Sequence, residues 1–174
     1  MPSSVYIRRA DRNDPLPAVR ELLECCGWRD AIANGASVVV KPNLCTERLE
    51  QAHTANTSPG VLRAVCEVLL ERTKRVTIVE SDGARYAAEA AFENNGVYRI
   101  AEELGVGVLN LSKDELVEVP DRRMRGFGMA RTWLEADAFI TLPVLKTHAT
   151  TVFTGALKNQ WGCVPIVTHG TGVA

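Results

Sequence analysis

Several well-known sequence signatures are absent from this chain of 174 residues. It contains neither the GxxxxGK[ST] pattern of a P-loop nor the GxSxG pattern of a hydrolase nucleophile elbow. It has no run of about 18 apolar residues, so no membrane-spanning segment is expected. The N-terminal sequence lacks the apolar stretch of a signal peptide, and we therefore expect a cytoplasmic protein.

Neither sign of charge is in excess, because 20 basic residues balance 21 acidic ones. This balance argues against a nucleic-acid-binding surface. Histidine is scarce, and His53, His148 and His169 form no i,i+4 pair and no HExxH motif, so we predict no metal site. A site made by His148 with Glu80, Asp82 or Cys45 stays open as a narrower alternative.

The five cysteines are irregularly spaced and form no CxxC motif. A zinc ribbon or a self-contained iron–sulfur cluster is therefore not expected, and reduced thiols in the cytosol are the simpler interpretation. Cys66 lies on the apolar face of a predicted helix and should be a core residue. Cys45 and Cys163 lie near candidate site segments. The sequence is compatible with each of them being either a nucleophile or an inert thiol.

Strand-like and helix-like segments alternate along the chain. Strands are predicted at residues 5–8, 36–41, 76–80, 106–109 and 138–142. A helix should begin at Ser58 and Pro59, and another at about Thr150. Residues 116–119 and 124–129 are expected to pair as a hairpin. We therefore predict one α/β domain over residues 1–174, with a doubly wound, mostly parallel sheet, helices on both faces and a small β-hairpin insertion.

Ligands in such folds bind at the carboxyl ends of the strands. Three of these ends carry distinctive polar residues, in KPN (41–43), ESDG (80–83) and LPVLKTH (142–148). The third segment leads into TTVFTGALKN (150–159), where Thr154 and Lys158 are spaced to share one face of a helix. A small anion, either a phosphate or a carboxylate, is the ligand class that these residues favour.

Each candidate residue can be given a role in that site. Lys41, Lys146 and Lys158 would hold the anion, with Thr154 at the predicted helix start and with Asn43 and Asn159 orienting the ligand. His148 would be the acid or base, with Lys146 beside it, and Asp82 would orient the histidine or bind a metal. The structural alternative is that the prolines, threonines and Asp82 only end strands, cap helices and form turns.

The segments KPNL (41–44), SP (58–59), VESDG (79–83), AFENNGV (91–97), LNLSKDE (109–115), ITLPVLKTH (140–148) and TGALKNQWGC (154–163) resemble domain-of-unknown-function family 362. The resemblance covers about residues 36–165. Members occur in bacteria and archaea, sometimes fused to ferredoxin-type iron–sulfur modules, which implies a redox or cofactor context. Lys41, Asn43, Asp82, Lys146, His148, Lys158 and Asn159 carry over as polar signature positions. The chain resembles a short or truncated member without the ferredoxin module.

The sequence names neither the cofactor nor the reaction, and three functions compete. The first is an enzyme or enzyme domain that binds a small anionic substrate or cofactor. The second is a non-catalytic module that binds a cofactor or an iron–sulfur partner protein, which predicts that Phe153 and Trp161 are exposed beside the KTH segment. In the third, the lysines form only a solvated rim and point apart. No nucleic-acid or membrane partner is expected, and the oligomeric state is unknown.

Overall fold

The computed structural model describes residues 4–83, 86–124 and 128–165. In these ranges the α-helices are α1 (Leu16–Cys25), α2 (Trp28–Ala31), α3 (Leu49–Ala55), α4 (Pro59–Leu69), α5 (Ala88–Asn94), α6 (Val97–Leu104), α7 (Arg131–Glu135) and α8 (Ala156–Asn159). The strands are β1 (Val38–Pro42), β2 (Val76–Glu80), β3 (Gly107–Asn110), β4 (Leu116–Glu118), β5 (Gly128–Ala130), β6 (Ala138–Leu142), β7 (Lys146–His148) and β8 (Val152–Thr154). Short 3-10 helices lie at Leu111–Lys113, Arg122–Met124 and Gln160–Cys163.

Four parallel strands form the central sheet in the order β3-β2-β1-β6. Val40 of β1 lies between Ile78 of β2 and Ile140 of β6. The chain thus moves outward from β1 to β3 and then returns to the other side of β1 as β6. In open α/β sheets, ligands bind outside the carboxyl ends of the strands, near the point where the strand order reverses.

Both faces of the sheet are buried, because successive residues of each strand point to opposite sides. Val38, Val40 and Ile78 belong to the larger core, which they share with residues of α1, α4, α5 and α6. On the other face, Val39 and Val79 pack with Leu111, Ala130 and Cys163, and Trp133 of α7 packs against them. The predicted α/β class, with a mostly parallel sheet and helices on both faces, is confirmed.

Helix α4 follows its predicted pattern closely. It begins after Ser58 with Pro59, whose fixed φ suits the first turn, although the Ser58 hydroxyl makes no capping hydrogen bond. The apolar residues at helical spacing are buried and face the sheet: Leu62, Val65, Cys66, Val68 and Leu69. The prediction that Cys66 is a core residue is confirmed. Burying each of the larger aliphatic side chains contributes about 1.5–3 kcal/mol to folding.

The predicted hairpin insertion is present between β3 and β6. Strands β4 and β5 pair antiparallel, with Leu116 opposite Ala130 and Glu118 opposite Gly128. The second strand is shorter than predicted, and part of that prediction, residues 125–127, lies outside the described residues. The alanine-rich sequence of residues 84–92 predicts a helix; residues 84–85 also lie outside the described residues, and α5 begins at Ala88.

The prediction of a first strand at residues 5–8 is wrong. Val5 and Ile7 alternate as in a strand, but both side chains are exposed and no strand of the sheet lies beside them. The Arg8 guanidinium instead pairs with the Glu21 carboxylate of α1. Two apolar residues are too few to add a buried edge to the sheet, so the segment stays extended and unpaired.

The prediction of a helix from about Thr150 is also wrong. Strands β7 and β8 form an antiparallel hairpin there, with Lys146 opposite Thr154, and α8 begins only at Ala156. The run Thr150-Thr151-Val152 is β-branched, which lowers its helix propensity, and Thr150 and Thr151 lie in the turn between the two strands. As a consequence, Thr154 and Lys158 lie on different elements and do not share a helix face.

Among the described residues, no helix combines the length and the apolar character that crossing a membrane requires.

Candidate functional site

Lys41 is the penultimate residue of β1 and meets an acidic partner from the neighbouring strand. Its ammonium nitrogen lies 2.6 Å from Glu80 Oε2 and donates also to the carbonyl oxygen of Pro42, at 2.8 Å. The side chains of Lys41 and Glu80 are only 1% and 4% exposed. The backbone N–H groups of Leu44 and Ser81 donate to the same carboxylate. The ion pair is therefore fully enclosed and its charges are matched inside the protein.

Glu80 is a residue whose importance the sequence analysis missed, beyond its mention as a metal ligand. Burial raises the pKa of its carboxyl, while the Lys41 ammonium and the two backbone donors oppose that shift. The sequence held one usable signal. A lysine at the end of an apolar buried strand needs a counter-charge, and Glu80 stands at the corresponding end of the adjacent strand.

Gly162 lets the C-terminal segment pack directly over this ion pair. A Cβ atom at position 162 would lie 2.8 Å from Glu80 Oε1 and 3.1 Å from Lys41 Nζ, which is too close for any larger residue. The Ser81 hydroxyl donates to the Gly162 carbonyl at 2.7 Å and fixes the segment. The next residue, Cys163, is buried, and this burial raises the pKa of its thiol to about 12. Cys163 is therefore poorly suited to act as a nucleophile near neutral pH.

The two predicted ligand-orienting asparagines are both buried and both hold loops together. The Asn159 amide donates to Thr141 Oγ1 at 2.8 Å and to the Lys41 carbonyl at 3.2 Å, which ties α8 to β1 and β6. The Asn43 amide donates to the Ala55 carbonyl at 2.7 Å, which ties the loop after β1 to α3. Each side chain therefore has a structural function that its predicted role did not include.

His148 lies at the end of β7 with one ring nitrogen already occupied. Its Nδ1 accepts hydrogen bonds from the backbone N–H groups of Thr150 at 3.1 Å and Thr151 at 3.2 Å. An accepting Nδ1 carries no proton, so the neutral ring holds its proton on Nε2. The Nε2–H group is therefore the hydrogen-bond donor that this ring can offer to a ligand.

The Asp82 carboxylate is bound to its own turn and to the next strand. Its Oδ1 accepts from the N–H of Ala88, at the start of α5, and from the Asn110 amide at 2.9 Å. Its own N–H donates to the hydroxyl of Ser112. These contacts match the turn-forming alternative, and the described hydrogen bonds of Asp82 do not include His148. The described hydrogen bonds therefore do not support the predicted role of Asp82 in orienting His148.

Lys146 and Thr154 lie opposite one another in the β7–β8 hairpin. The Lys146 ammonium lies 2.7 Å from Cys45 Sγ and 2.5 Å from the Ala55 carbonyl oxygen. Thr154 is fully buried, and its hydroxyl has no hydrogen-bond partner among the described residues. Neither residue lines the cavity described next, although Cys45 does.

A cavity of about 570 Å³ lies at the carboxyl ends of the strands. Six of the eight predicted site residues line it: Lys41, Asn43, Asp82, His148, Lys158 and Asn159. Its wall also includes Cys45, Glu80, Ser81, Tyr86, Trp161 and Gly162. The ends of β1 and β2, the β7–β8 hairpin and α8 thus converge on one volume, although these residues are widely separated in sequence.

The lysines that line the cavity are Lys41 and Lys158, and the carboxylates that line it are those of Glu80 and Asp82. Lys41 is paired with Glu80, whereas Lys158, half-buried on α8, forms no salt bridge within the part of the chain that the structure describes. Within that same part, no group of three or more His, Cys, Asp or Glu side chains is arranged to hold a metal ion. The described geometry therefore suits a small polar ligand with a negative group near Lys158.

Comparisons with known proteins extend this description. The model of the family described as Domain of unknown function (DUF362) matches residues 38–171. A thylakoid-associated protein of Synechocystis sp. is 29% identical over 151 residues, which are 86% of this chain and 46% of that protein. The chain thus spans about half the length of the curated relative that it matches. No solved structure matches the chain.

Proposed function

Because the chain belongs to the family described as Domain of unknown function (DUF362), and six of the predicted site residues line one cavity, we propose that it binds a small anionic substrate or cofactor there. The ligand group is a phosphate or a carboxylate, and the chain acts on it as an enzyme or enzyme domain. The observation that carries the proposal is the convergence of six predicted site residues on one cavity. Its position at the carboxyl ends of parallel strands is the usual ligand site of this fold class.

The three lysines have different roles in this proposal, because their charges are not equally available to a ligand. Lys41 is neutralised by Glu80, so it shapes the floor of the cavity more than it attracts an anion. Lys146 is likewise engaged, with Cys45 and Ala55. Lys158 is then the principal cation for the ligand. His148 offers its Nε2–H group to the ligand as a hydrogen-bond donor, since its Nδ1 is held by backbone donors.

Titration with inorganic phosphate and with acetate, followed by NMR of ¹⁵N-labelled protein, tests the proposal. We expect shifts at backbone amides that line the cavity, such as those of Gly162 and Thr150. Lys158→Ala should weaken phosphate binding about fivefold, because it removes the principal cation at a half-buried site. The matched control is Lys74→Ala, since Lys74 is exposed and precedes β2 at the opposite edge of the sheet. The absence of cavity shifts, or an equal loss in both variants, would overturn the proposal.

A second candidate is a non-catalytic module that binds an iron–sulfur partner protein, and one observation favours it. Phe153 and Trp161 are 57% and 56% exposed. Three further apolar side chains are exposed in the same part of the chain, Leu145, Val152 and Leu157. Exposed apolar side chains in such number are typical of interaction surfaces, and the family resemblance implies a redox context for a partner.

Calorimetry with an oxidised ferredoxin tests this second candidate. We expect binding that Phe153→Ser together with Leu157→Ser weakens at least about fivefold. Leu134→Ser, on an exposed position of α7, is the control and should bind as the unchanged chain does. Absence of binding, or an equal effect of the control, would count against the partner-binding function and leave the anion site as the function of this chain.

We also propose that the protein acts in the cytoplasm without nucleic-acid or membrane partners. The near-equal numbers of basic and acidic residues support this, because electrostatic attachment to nucleic acid needs a basic surface. The thylakoid association belongs to the relative by name. Cell fractionation followed by immunoblotting would test the location, and recovery with the membrane fraction would contradict it.

A further inference from the structure

Cys45 accepts a hydrogen bond from an ammonium group at its sulfur. It lies exposed in the loop after β1, and its sulfur is 2.7 Å from the Lys146 ammonium nitrogen. That ammonium is held in place by the Ala55 carbonyl, 2.5 Å away. The two residues are 101 positions apart in sequence, so the contact exists only because the β7–β8 hairpin folds against the loop. The Cys45 sulfur also lies 3.4 Å from the Ala55 carbonyl oxygen. The ammonium thus lies in a fixed position from which its charge stabilises negative charge that develops on the sulfur during a reaction.

The remaining cysteines provide internal comparisons. Cys66 and Cys163 are buried, and burial raises the pKa of each thiol to about 12, so both stay protonated and shielded near neutral pH. Cys26 is exposed as Cys45 is, at the end of α1. Within the described hydrogen bonds, no cation donates to the Cys26 sulfur. Cys45 and Cys26 are therefore both exposed, but within the described hydrogen bonds a cation donates to the sulfur of Cys45 and not to that of Cys26.

Two further observations place Cys45 at a site for a small reagent. Its side chain lines the cavity of about 570 Å³, so a small molecule can reach the sulfur from that side. In addition, Thr154 lies directly opposite Lys146 in the hairpin, and cross-strand partners project from the same face. The Thr154 hydroxyl is fully buried and has no hydrogen-bond partner among the described residues. It is thus a donor, on the face of Lys146, that the described protein groups do not use.

We propose that Cys45 with Lys146 is a site of thiol oxidation by a small peroxide. The electron pair of the sulfur attacks one oxygen of hydrogen peroxide, and the O–O bond breaks. The departing hydroxide takes a proton from Lys146 and leaves as water, while Cys45 becomes a sulfenic acid. Sulfur is oxidised by two electrons and the peroxide is reduced by two. The new S–OH group gains Lys146 as a neighbour, with the Thr154 hydroxyl on the same hairpin face.

The test measures reaction rates cysteine by cysteine on the full chain near neutral pH. Limiting iodoacetamide probes nucleophilicity, and hydrogen peroxide with dimedone traps the sulfenic acid, with both products assigned by peptide mass spectrometry. We expect Cys45 to react at least about fivefold faster than Cys26 with both reagents. This comparison needs no variant, so it is independent of any effect of mutation on folding. Equal rates at Cys45 and Cys26 would overturn the proposal.

Variants then distinguish the effect of the Lys146 charge on Cys45 reactivity from the effect of the rest of the loop. Lys146→Met keeps the length of the aliphatic stem but removes the charge, and it should lower the Cys45 rates to those of Cys26. Lys74→Met, far from the cavity, should leave them unchanged. Thr154→Val should slow sulfenic acid formation more than alkylation, because only the first product carries a new oxygen. If Lys146→Met remains folded by circular dichroism and reacts as the unchanged chain does, the proposal is wrong. Phosphate binding through Lys158 is a separate measurement, so the two proposals can fail independently.

Discussion

At the scale of single residues, the Lys41–Glu80 pair is the most demanding feature of this protein. Removing two charges from water costs several kcal/mol per ion, and only close contact together with extra hydrogen bonds offsets that cost. Here the ammonium has two acceptors and the carboxylate has two backbone donors besides the ammonium. The pair depends on both partners, so the loss of one leaves an uncompensated buried charge.

We expect Lys41→Met to lower the free energy of unfolding by about 3–5 kcal/mol, because it strands the Glu80 carboxylate. The double variant Lys41→Met with Glu80→Gln should recover part of that loss, since it leaves no buried charge. Leu44 N–H donates to one carboxylate oxygen and Ser81 N–H to the other, so the single amide oxygen can still accept from one of them. Urea unfolding followed by tryptophan fluorescence gives both values. A double variant no more stable than Lys41→Met would show that the charges are not what couples these residues.

At the scale of secondary-structure elements, the β7–β8 hairpin decides where the polar residues lie. It replaces the helix predicted from Thr150, brings Lys146 to Cys45 and places His148 on the cavity wall. The hairpin contains one unfavourable backbone conformation. Val152 has φ 63°, a left-handed value that β-branched residues rarely adopt, and its side chain is exposed. No apolar burial compensates at this position.

Val152→Asn should therefore stabilise the protein by about 1 kcal/mol, because asparagine tolerates left-handed backbone and little burial is lost. Val152→Thr is the matched control, since threonine is equally β-branched and should give no gain. The midpoint of urea unfolding, with an unchanged slope, is the measurement. If Val152→Thr raised the stability as much as Val152→Asn does, the backbone at this residue would not be strained.

At the scale of the whole molecule, the strand order β3-β2-β1-β6 brings the residues of the candidate site together. Parallel strands bring their carboxyl ends to one edge, so KPN, ESDG and the segment after β6 meet there as the sequence predicted. The sheet also creates two buried cores, and each encloses one thiol, Cys66 on one face and Cys163 on the other. Global stability therefore depends on pH through these thiols.

We expect the free energy of unfolding to fall as the pH rises from 9 towards 12. In the unfolded chain these thiols lose their protons around the ordinary pKa of 9.0, whereas in the folded protein they keep them to about 12. The unfolded state then binds fewer protons than the folded state, so stability decreases with pH across that window. Cys66→Ala should show a smaller decrease between pH 8 and pH 10 in urea unfolding. An unchanged decrease would contradict the contribution of this thiol.

Much of this architecture follows from local sequence patterns, because apolar spacing specifies which residues must leave water. The run Val38-Val39-Val40, the apolar face of α4 and the polar residues at the strand ends were all recognisable in the chain itself. Local pattern failed at residues 5–8, where alternation had no neighbouring strand, and at Thr150, where β-branched residues outweighed helix-start signals.

The sequence by itself thus determined the α/β class, the helical core face of α4 and the edge of the sheet at which polar residues gather. Only the tertiary structure decided which polar groups meet there. Lys41 and Glu80 are 39 residues apart, and Cys45 and Lys146 are 101 residues apart. Such contacts depend on strand register, hairpin position and side-chain reach within a few ångströms. Hydrogen bonds and ion pairs weaken steeply over those distances, whereas hydrophobic burial does not demand comparable accuracy.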